Sequence, residues 1–130
     1  MVGIVIVSHS KLIAEGVKEL AGQMAGPSQK IVAAGGMSDG SIGTDAVRIS
    51  EAIQEADQGE GVLVLVDLGS AIISTETAFE FLEGDLQNKV IIADAPIVEG
   101  AVSAAVQASI GATLAEVKDA AELAKQMQKL

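Results

Sequence analysis

Short apolar runs alternate along this chain with segments whose apolar residues recur every three or four positions. The apolar runs, which are rich in Val, Ile and Leu, occupy residues 2–7, 30–34, 61–66 and 89–93. Continuous runs of this length are typical of strands buried on both faces. Helical periodicity follows each run, and strands that alternate with helices predict an α/β fold. We therefore expect a doubly wound, mainly parallel four-stranded sheet with helices on both faces.

The apolar pattern of the first predicted helix indicates which of its faces packs against the sheet. Ser10 can cap this helix, and the Gly26-Pro27 pair is expected to end it. Its apolar residues at helical spacing are Ile13, Val17, Leu20 and Met24. We expect this stripe to cover one face of the sheet.

The helical segment 98–110 carries two apolar sets instead of one. Its stripe is Val98, Val102, Val106 and Ile110, and small residues recur over 101–112 at Ala101, Ala104, Ala105, Ala108 and Ala112. Because small side chains allow close approach, we hypothesise that this helix contacts both the C-terminal helix and a second subunit. Burial of the small residues within one chain is the alternative. The C-terminal helix is predicted over 114–128, with the spacing of a capping box between Thr113 and Glu116.

The only histidine of the chain follows the first predicted strand, and an aspartate follows the third. Sequence alone does not determine the order of the strands, but the order 2-1-3-4 would bring His9 and Asp67 together at the point where ligands bind to such sheets. The carboxylate could then accept a hydrogen bond from one ring nitrogen and leave the other as a nucleophile. Helices that begin near Ser10 and Ser70 would direct their amino ends to the same place, which favours a phosphoryl group.

These features point to phosphoryl transfer more than to acyl transfer. The structural alternative is that His9 is a turn residue and that Asp67 caps a helix.

A glycine-rich loop at 35–44 separates the second strand from the next helix. Four of its ten residues are glycines, yet it matches neither the Walker pattern nor the Gly-x-Gly-x-x-Gly pattern. The loop is therefore interpreted either as a flexible connector or as a wall of backbone that lets a phosphate or a partner approach closely.

Composition narrows the class of protein. A length of 130 residues is usual for one domain, so we expect 1–130 to form a single domain. Aromatic residues make up only 2% of the chain, so the core must consist of Val, Ile, Leu and Ala.

Eighteen acidic residues against eight basic ones give a formal net charge of -10, which opposes binding to nucleic acid or to an anionic membrane.

Cysteine and histidine usage excludes two kinds of structural site. The chain has no Cys and one His, so it can form neither a disulfide nor a structural zinc site. No apolar run approaches the ~20 residues needed to span a bilayer. No basic region precedes the first apolar run, so we expect no signal peptide and a cytoplasmic location.

Four motifs in order resemble a known family. They are MVGIVIVSHS at 1–10, the loop 35–44, DLGSA at 67–71 and DAPIVEGAV at 94–102. Together they resemble the phosphotransfer subunit of the phosphoenolpyruvate-dependent dihydroxyacetone kinase, which is similar to the IIA domain of mannose-class sugar phosphotransferase systems. Sugar-class relatives usually carry a Gly-Gly-Ser-Pro type stretch after the aspartate. The sequence Gly69-Ser70-Ala71 found here favours the dihydroxyacetone branch.

The resemblance implies a homodimeric α/β domain that carries phosphate on His9. The histidine-containing phosphocarrier protein would phosphorylate His9. The phosphoryl group would then pass to ADP held on the nucleotide-binding kinase subunit, and the resulting ATP would phosphorylate dihydroxyacetone on a third subunit. Asp67 would orient the His9 ring. Longer relatives append carrier-like domains, so we expect the phosphoryl donor of this chain to be a separate protein.

We therefore interpret the chain as a cytoplasmic phosphocarrier subunit in which His9 and Asp67 are the catalytic residues. The residues expected to bind the phosphoryl oxygens are Ser10, Gly40, Ser41, Gly43, Thr44, Gly69 and Ser70. No cofactor and no metal is expected on this chain, and no nucleic acid or membrane is expected as a partner. The alternatives are the IIA component of a mannose-class sugar transporter and a non-catalytic binding module such as a receiver-like domain.

Overall fold

The computed structural model describes residues 1–130, in which four strands alternate with five α-helices. The strands are β1 (Gly3–Ser8), β2 (Ile31–Gly35), β3 (Val62–Val66) and β4 (Val90–Ile92). The helices are α1 (Lys11–Ala25), α2 (Ala46–Ala56), α3 (Gly69–Phe79), α4 (Ile97–Ser109) and α5 (Leu114–Leu123). Two 3₁₀ turns, Gly84–Asn88 and Ala124–Gln126, complete the regular structure. α5 is therefore shorter than the sequence predicts, because its last turn tightens to 3₁₀ geometry.

The strands form one sheet in the order β2-β1-β3-β4, and all three pairings are parallel. Ile4 of β1 pairs with Ile31 of β2 and with Leu63 of β3, so β1 and β3 lie side by side in the centre. The predicted doubly wound α/β fold and its strand order are confirmed. None of the helices combines the length and the hydrophobicity that a transmembrane span requires.

Two hydrophobic cores lie on opposite faces of the sheet, because successive strand residues point to opposite sides. Ile4 and Ile6 of β1 face the core under α1, α4 and α5, and Val5 and Val7 face the core under α2 and α3. Every buried hydrophobic residue is Val, Ile, Leu or Ala, as the composition predicts. The buried residues of β1 explain why its sequence is apolar at consecutive positions.

The predicted apolar stripe of α1 is wrong except for Val17. The buried residues of α1 are Ala14, Val17 and Ala21, whereas Ile13, Leu20 and Met24 are about half exposed. The reason is a close approach of α1 to the sheet. A Cβ atom built on Gly35 of β2 would lie 2.7 Å from the Ala14 Cβ, so only small side chains fit between this helix and its neighbours.

The small residues of α4 are buried within the chain, where α4 packs against α1, α5 and the sheet. Ala101, Ala104, Ala105 and Ala108 are all fully buried. The predicted contact with the C-terminal helix is confirmed. The larger stripe is only partly buried: Val102 packs against the core, whereas Val98 and Val106 are each 39% exposed and Ile110 is 72% exposed. The predicted capping box of α5 is also confirmed: the Thr113 hydroxyl accepts from the Glu116 amide, and the Glu116 carboxylate accepts from the Thr113 amide.

Candidate functional site

His9 and Asp67 lie together at the carboxyl ends of the two central strands. β1 ends at Ser8 and β3 ends at Val66, so each residue comes directly after its strand. The register that pairs Val7 with Val66 brings the two strand ends level. This is the crevice in which sheets of this topology bind their ligands.

The Asp67 carboxylate holds His9 by both its ring and its backbone. One carboxylate oxygen, Oδ1, lies 2.9 Å from Nδ1 of His9. The other, Oδ2, accepts a hydrogen bond of 2.9 Å from the His9 amide. The His9 side chain is 21% exposed and that of Asp67 is 13% exposed, so the pair is sheltered while the ring remains accessible.

The protonation state of Asp67 determines which nitrogen of His9 carries the proton. Partial burial by itself raises the pKa of the Asp67 carboxyl, but hydrogen bonds from the His9 amide, the His9 ring, the Ser8 hydroxyl and the Leu68 amide outweigh it and hold the pKa below its ordinary value. An ionised carboxylate only accepts hydrogen bonds. The proton of a neutral ring therefore lies on Nδ1, and Nε2 keeps its lone pair.

The amino end of α3 lies beside that lone pair. The Ser70 hydroxyl is within hydrogen-bond distance of His9 Nε2. The residue at the N-cap position of α3 is Leu68, whose side chain makes no capping hydrogen bond. The first amides of a helix have no acceptor within the helix, so those of Gly69 and Ser70 can bind an anion at this point.

The glycine-rich loop is tied to the turn that carries His9. The Gly43 amide donates to the His9 carbonyl over 2.9 Å, and the Gly36 amide donates to the Ser8 carbonyl over 3.1 Å. The hydroxyls of Thr44 and Ser74 form a hydrogen bond that joins the loop to α3. Because of these contacts, we interpret the glycine-rich loop as an ordered segment whose backbone lines the site, and not as a flexible connector.

Several amides of the predicted phosphate site already donate to acceptors within the chain. The Ser10 amide donates to the Ser8 hydroxyl, the Gly40 amide to the Met37 carbonyl and the Ser41 amide to the Asp39 carboxylate. The hydrogen bonds from the Ser41 hydroxyl and amide also lower the pKa of Asp39. Phosphate binding by Ser10 and by the loop residues Gly40, Ser41, Gly43 and Thr44 stays a prediction.

Ser8 belongs to the site, although it is not among the catalytic and phosphate-binding residues that the sequence predicts. Its side chain is fully buried, and its hydroxyl donates to Asp67 Oδ2 over 2.8 Å. The only signal in the sequence is a polar residue at the last position of an otherwise apolar strand.

A cleft of about 420 Å³ extends from Asp67 along the carboxyl end of β4. The charged side chains that line it are Asp67, Glu76 and Asp94, and all three are acidic. Such a lining suits a basic side chain better than a free phosphate. No group of three or more His, Cys, Asp or Glu residues is arranged to hold a metal ion.

Comparison with known proteins shows which family and which relatives this chain is similar to. A family model described as the PTS system fructose IIA component matches residues 3–118. A protein of Providencia stuartii, named PEP-dependent dihydroxyacetone kinase, phosphoryl donor subunit DhaM, is 43% identical over 99% of this chain. A protein of Listeria innocua, named PEP-dependent dihydroxyacetone kinase 2, phosphoryl donor subunit DhaM, is 44% identical over 85% of this chain and 88% of its own length.

This chain spans only 28% of the length of the Providencia stuartii protein. One solved structure similar to this fold is the crystal structure of a protein of unknown function, EF1359. Its TM-score is 0.86 at 41% identity, and the match covers 97% of this chain and 96% of that one.

Proposed function

This chain belongs to the family described as the PTS system fructose IIA component, and we propose that it is a phosphohistidine carrier that serves as the phosphoryl donor subunit of a phosphoenolpyruvate-dependent dihydroxyacetone kinase. We further propose that residues 1–130 act as one phosphotransfer domain in the cytoplasm. The observation that supports this most directly is the His9 ring, whose Nδ1 faces an ionised carboxylate while Nε2 faces the amino end of α3.

In the first step, the lone pair of His9 Nε2 attacks the phosphorus atom of the phosphohistidine on the histidine-containing phosphocarrier protein. The new Nε2–P bond forms as the N–P bond of the donor breaks, so one phosphoryl group moves and the donor recovers its neutral ring. The His9 ring gains positive charge during this step. Asp67 stabilises that charge through the proton on Nδ1, which stays in place.

In the second step, a terminal oxygen of ADP bound on the kinase subunit attacks the same phosphorus atom. The Nε2–P bond breaks, ATP forms and the His9 lone pair is restored. The chain holds no cofactor in this proposal, and any Mg²⁺ accompanies the nucleotide on the partner.

The amides of Gly69 and Ser70 and the Ser70 hydroxyl are proposed as the main donors to the phosphoryl oxygens. They lie at the positive end of α3, which favours the added negative charge of the phosphoryl group. The Ser70 hydroxyl then turns from Nε2 to a phosphoryl oxygen. Ser10 and the loop from Gly40 to Thr44 complete the wall of the site.

The surface around His9 supports docking by the two partner proteins. Large apolar side chains are exposed on the segments next to the site, namely Leu12 at 84%, Ile42 at 73%, Leu68 at 65% and Ile73 at 66%. Because the chain has a net charge of -10 and an acidic cleft beside Asp67, a partner that combines an apolar contact with basic side chains fits this face.

A homodimer is also part of the proposal. An apolar groove of about 530 Å³ lies between α4 and the end of the chain, and its lining includes Val102, Val106, Leu123 and Met127. Exposed grooves of this kind are typical of interfaces. We expect light scattering at micromolar concentration to give the mass of two chains and Val106→Glu to reduce it to one; a wild-type mass of one chain would contradict the dimer.

The sugar-transporter alternative has less support, since both relatives described above carry the name of a kinase subunit. The deciding experiment is incubation of wild type and His9→Ala with phosphoenolpyruvate and the general phosphotransferase proteins, read by intact mass. One added phosphoryl group on wild type and none on His9→Ala is expected. Transfer from labelled wild type to a membrane-system IIB protein, and none to an ADP-loaded kinase subunit, would favour the transporter. An unlabelled wild type would contradict the carrier function itself.

A further inference from the structure

Ser8 is a buried hydroxyl whose hydrogen-bonding capacity is directed towards the site. It is the last residue of β1 and has no exposed surface. Its Oγ donates to Asp67 Oδ2 over 2.8 Å and accepts from the Ser10 amide over 3.0 Å. A serine hydroxyl has only one proton to donate, so in this arrangement that proton points to the carboxylate.

The Asp67 carboxylate receives four hydrogen bonds, two on each oxygen. Oδ1 accepts from His9 Nδ1 and from the Leu68 amide, and Oδ2 accepts from the Ser8 hydroxyl and from the His9 amide. Ser8 is the only residue apart from His9 that reaches this carboxylate with a side chain. It therefore determines, together with two backbone amides, which way the carboxylate plane is turned.

The orientation of that plane controls the chemistry of the ring. Oδ1 keeps the proton of His9 on Nδ1 only while it faces Nδ1 as an ionised acceptor. Without the Ser8 hydroxyl, the sheltered Oδ2 would keep a single donor, and an under-solvated carboxylate oxygen is costly. The carboxylate would then rotate or take up a proton more readily, and both changes weaken its hold on Nδ1–H.

We propose that Ser8 is a positioning residue that keeps His9 in the tautomer with a free Nε2 by fixing the Asp67 carboxylate. This inference rests on the proposed function, because a free Nε2 matters only if it receives a phosphoryl group. Ser8 itself touches neither the reacting nitrogen nor the phosphoryl group. Its effect on the reaction passes through Asp67.

The experiment uses the fact that His9 is the only histidine of the chain, so its two ring nitrogens give unambiguous ¹⁵N resonances. The full-length Ser8→Ala and Ser8→Thr variants are compared with wild type in the neutral-ring pH range. Ser50→Ala is the matched control, because Ser50 is also buried but donates to the Val47 carbonyl of its own helix.

We expect Ser8→Ala to shift the ring resonances towards a mixture of tautomers and to slow phosphorylation about tenfold, the size of effect that one lost buried hydrogen bond produces. Ser8→Thr keeps the hydroxyl and is expected to restore the wild-type tautomer. Ser50→Ala is expected to leave both the tautomer and the rate at wild-type values.

The proposal would be overturned if the His9 ring of Ser8→Ala populated the Nδ1–H tautomer to the same extent as in wild type and its phosphorylation rate stayed within twofold of the wild-type rate. Equal losses in Ser8→Ala and Ser50→Ala would also overturn it, since they would show a general effect of removing a buried serine. The tautomer measurement needs no partner protein. If wild type took up no phosphoryl group, the proposed function would fail, while the ring resonances would still decide the role of Ser8.

Discussion

Thr44 and Ser74 are joined by a hydrogen bond of 2.6 Å between their hydroxyls, which connects the glycine-rich loop to α3. The loop also contacts His9 through the Gly43 amide, and α3 presents Ser70 to the same ring. The two walls of the site are therefore held together by a pair of side chains that form no hydrogen bond with the side chain of His9 or Asp67.

Removing either hydroxyl of this pair should loosen the site. We expect Thr44→Val and Ser74→Ala each to slow phosphorylation of His9 several-fold, because one hydrogen bond is worth roughly 1 kcal/mol. The double variant should be no slower than either single variant, since both remove the same contact. The phosphorylation rates of wild type, the two single variants and the double variant test this prediction. If the effects of the two substitutions on the rate were additive, the proposed link between the loop and α3 would be contradicted.

Asp67→Asn should impair transfer far more than it impairs folding. An asparagine amide can turn its NH₂ group towards Nδ1, which would favour the tautomer with a protonated Nε2. We expect the phosphorylation rate to fall on the order of 100-fold, which is the size of effect that the loss of a positioned acid or base typically has on a reaction rate. Asp85→Asn is the control, because Asp85 is exposed in the 3₁₀ turn that precedes β4 and so lies at the amino end of the sheet, away from His9. A similar fall in both variants would argue against a special role of Asp67.

The lowered pKa of Asp67 predicts how stability depends on acid. The carboxyl binds a proton less readily in the folded chain than in the unfolded chain, whose Asp pKa is about 3.9. Ionised Asp67 therefore stabilises the fold above about pH 4, and this contribution is lost as the pH falls through the lower, folded-state pKa. We expect the difference in unfolding free energy between wild type and Asp67→Asn to change as the pH falls below about 4, where the Asp67 carboxyl of the unfolded chain takes up its proton. Urea unfolding measures it, and a difference independent of pH would contradict the lowered pKa.

Gly35→Ala should distort the start of α1. A Cβ atom at this position would lie 2.6 Å from the Ser10 carbonyl oxygen and 2.9 Å from the Lys11 Cα, both of them backbone atoms. We expect a loss of about 1–3 kcal/mol in unfolding free energy, as in other overpacked sites, together with slower phosphorylation of His9.

Gly16→Ala is the matched control for this substitution within the chain. Gly16 lies in the interior of α1 with nothing within 4 Å of its added Cβ. We expect it to stabilise the protein by about 0.5–1 kcal/mol, because alanine loses less backbone entropy in a helix. Thermal unfolding of both variants decides the matter, and equal stability of the two would refute the close packing of α1 on β2.

Much of the fold was predictable because hydrophobic periodicity is a local property of the chain. The runs at 2–7 and 61–66 predict buried strands, and the structure has β1 and β3 there. The burial of α1 was not predictable in the same way. The choice between the Ile13 stripe and the Ala14 face depends on how close β2 and α4 come, and no spacing within α1 contains that information.

The sequence by itself determined the class of fold, the aliphatic composition of the core and the nomination of His9 and Asp67 at the ends of two strands. Only the tertiary structure decided that the ring of His9 meets a carboxylate 58 positions away, that Ser8 holds that carboxylate, and that α3 leaves its first amides uncapped beside Nε2. The reason is physical: periodicity and chain position are set by neighbours in sequence. A hydrogen bond between two loops depends on strand order, register and side-chain direction, which are determined only when the whole sheet has formed.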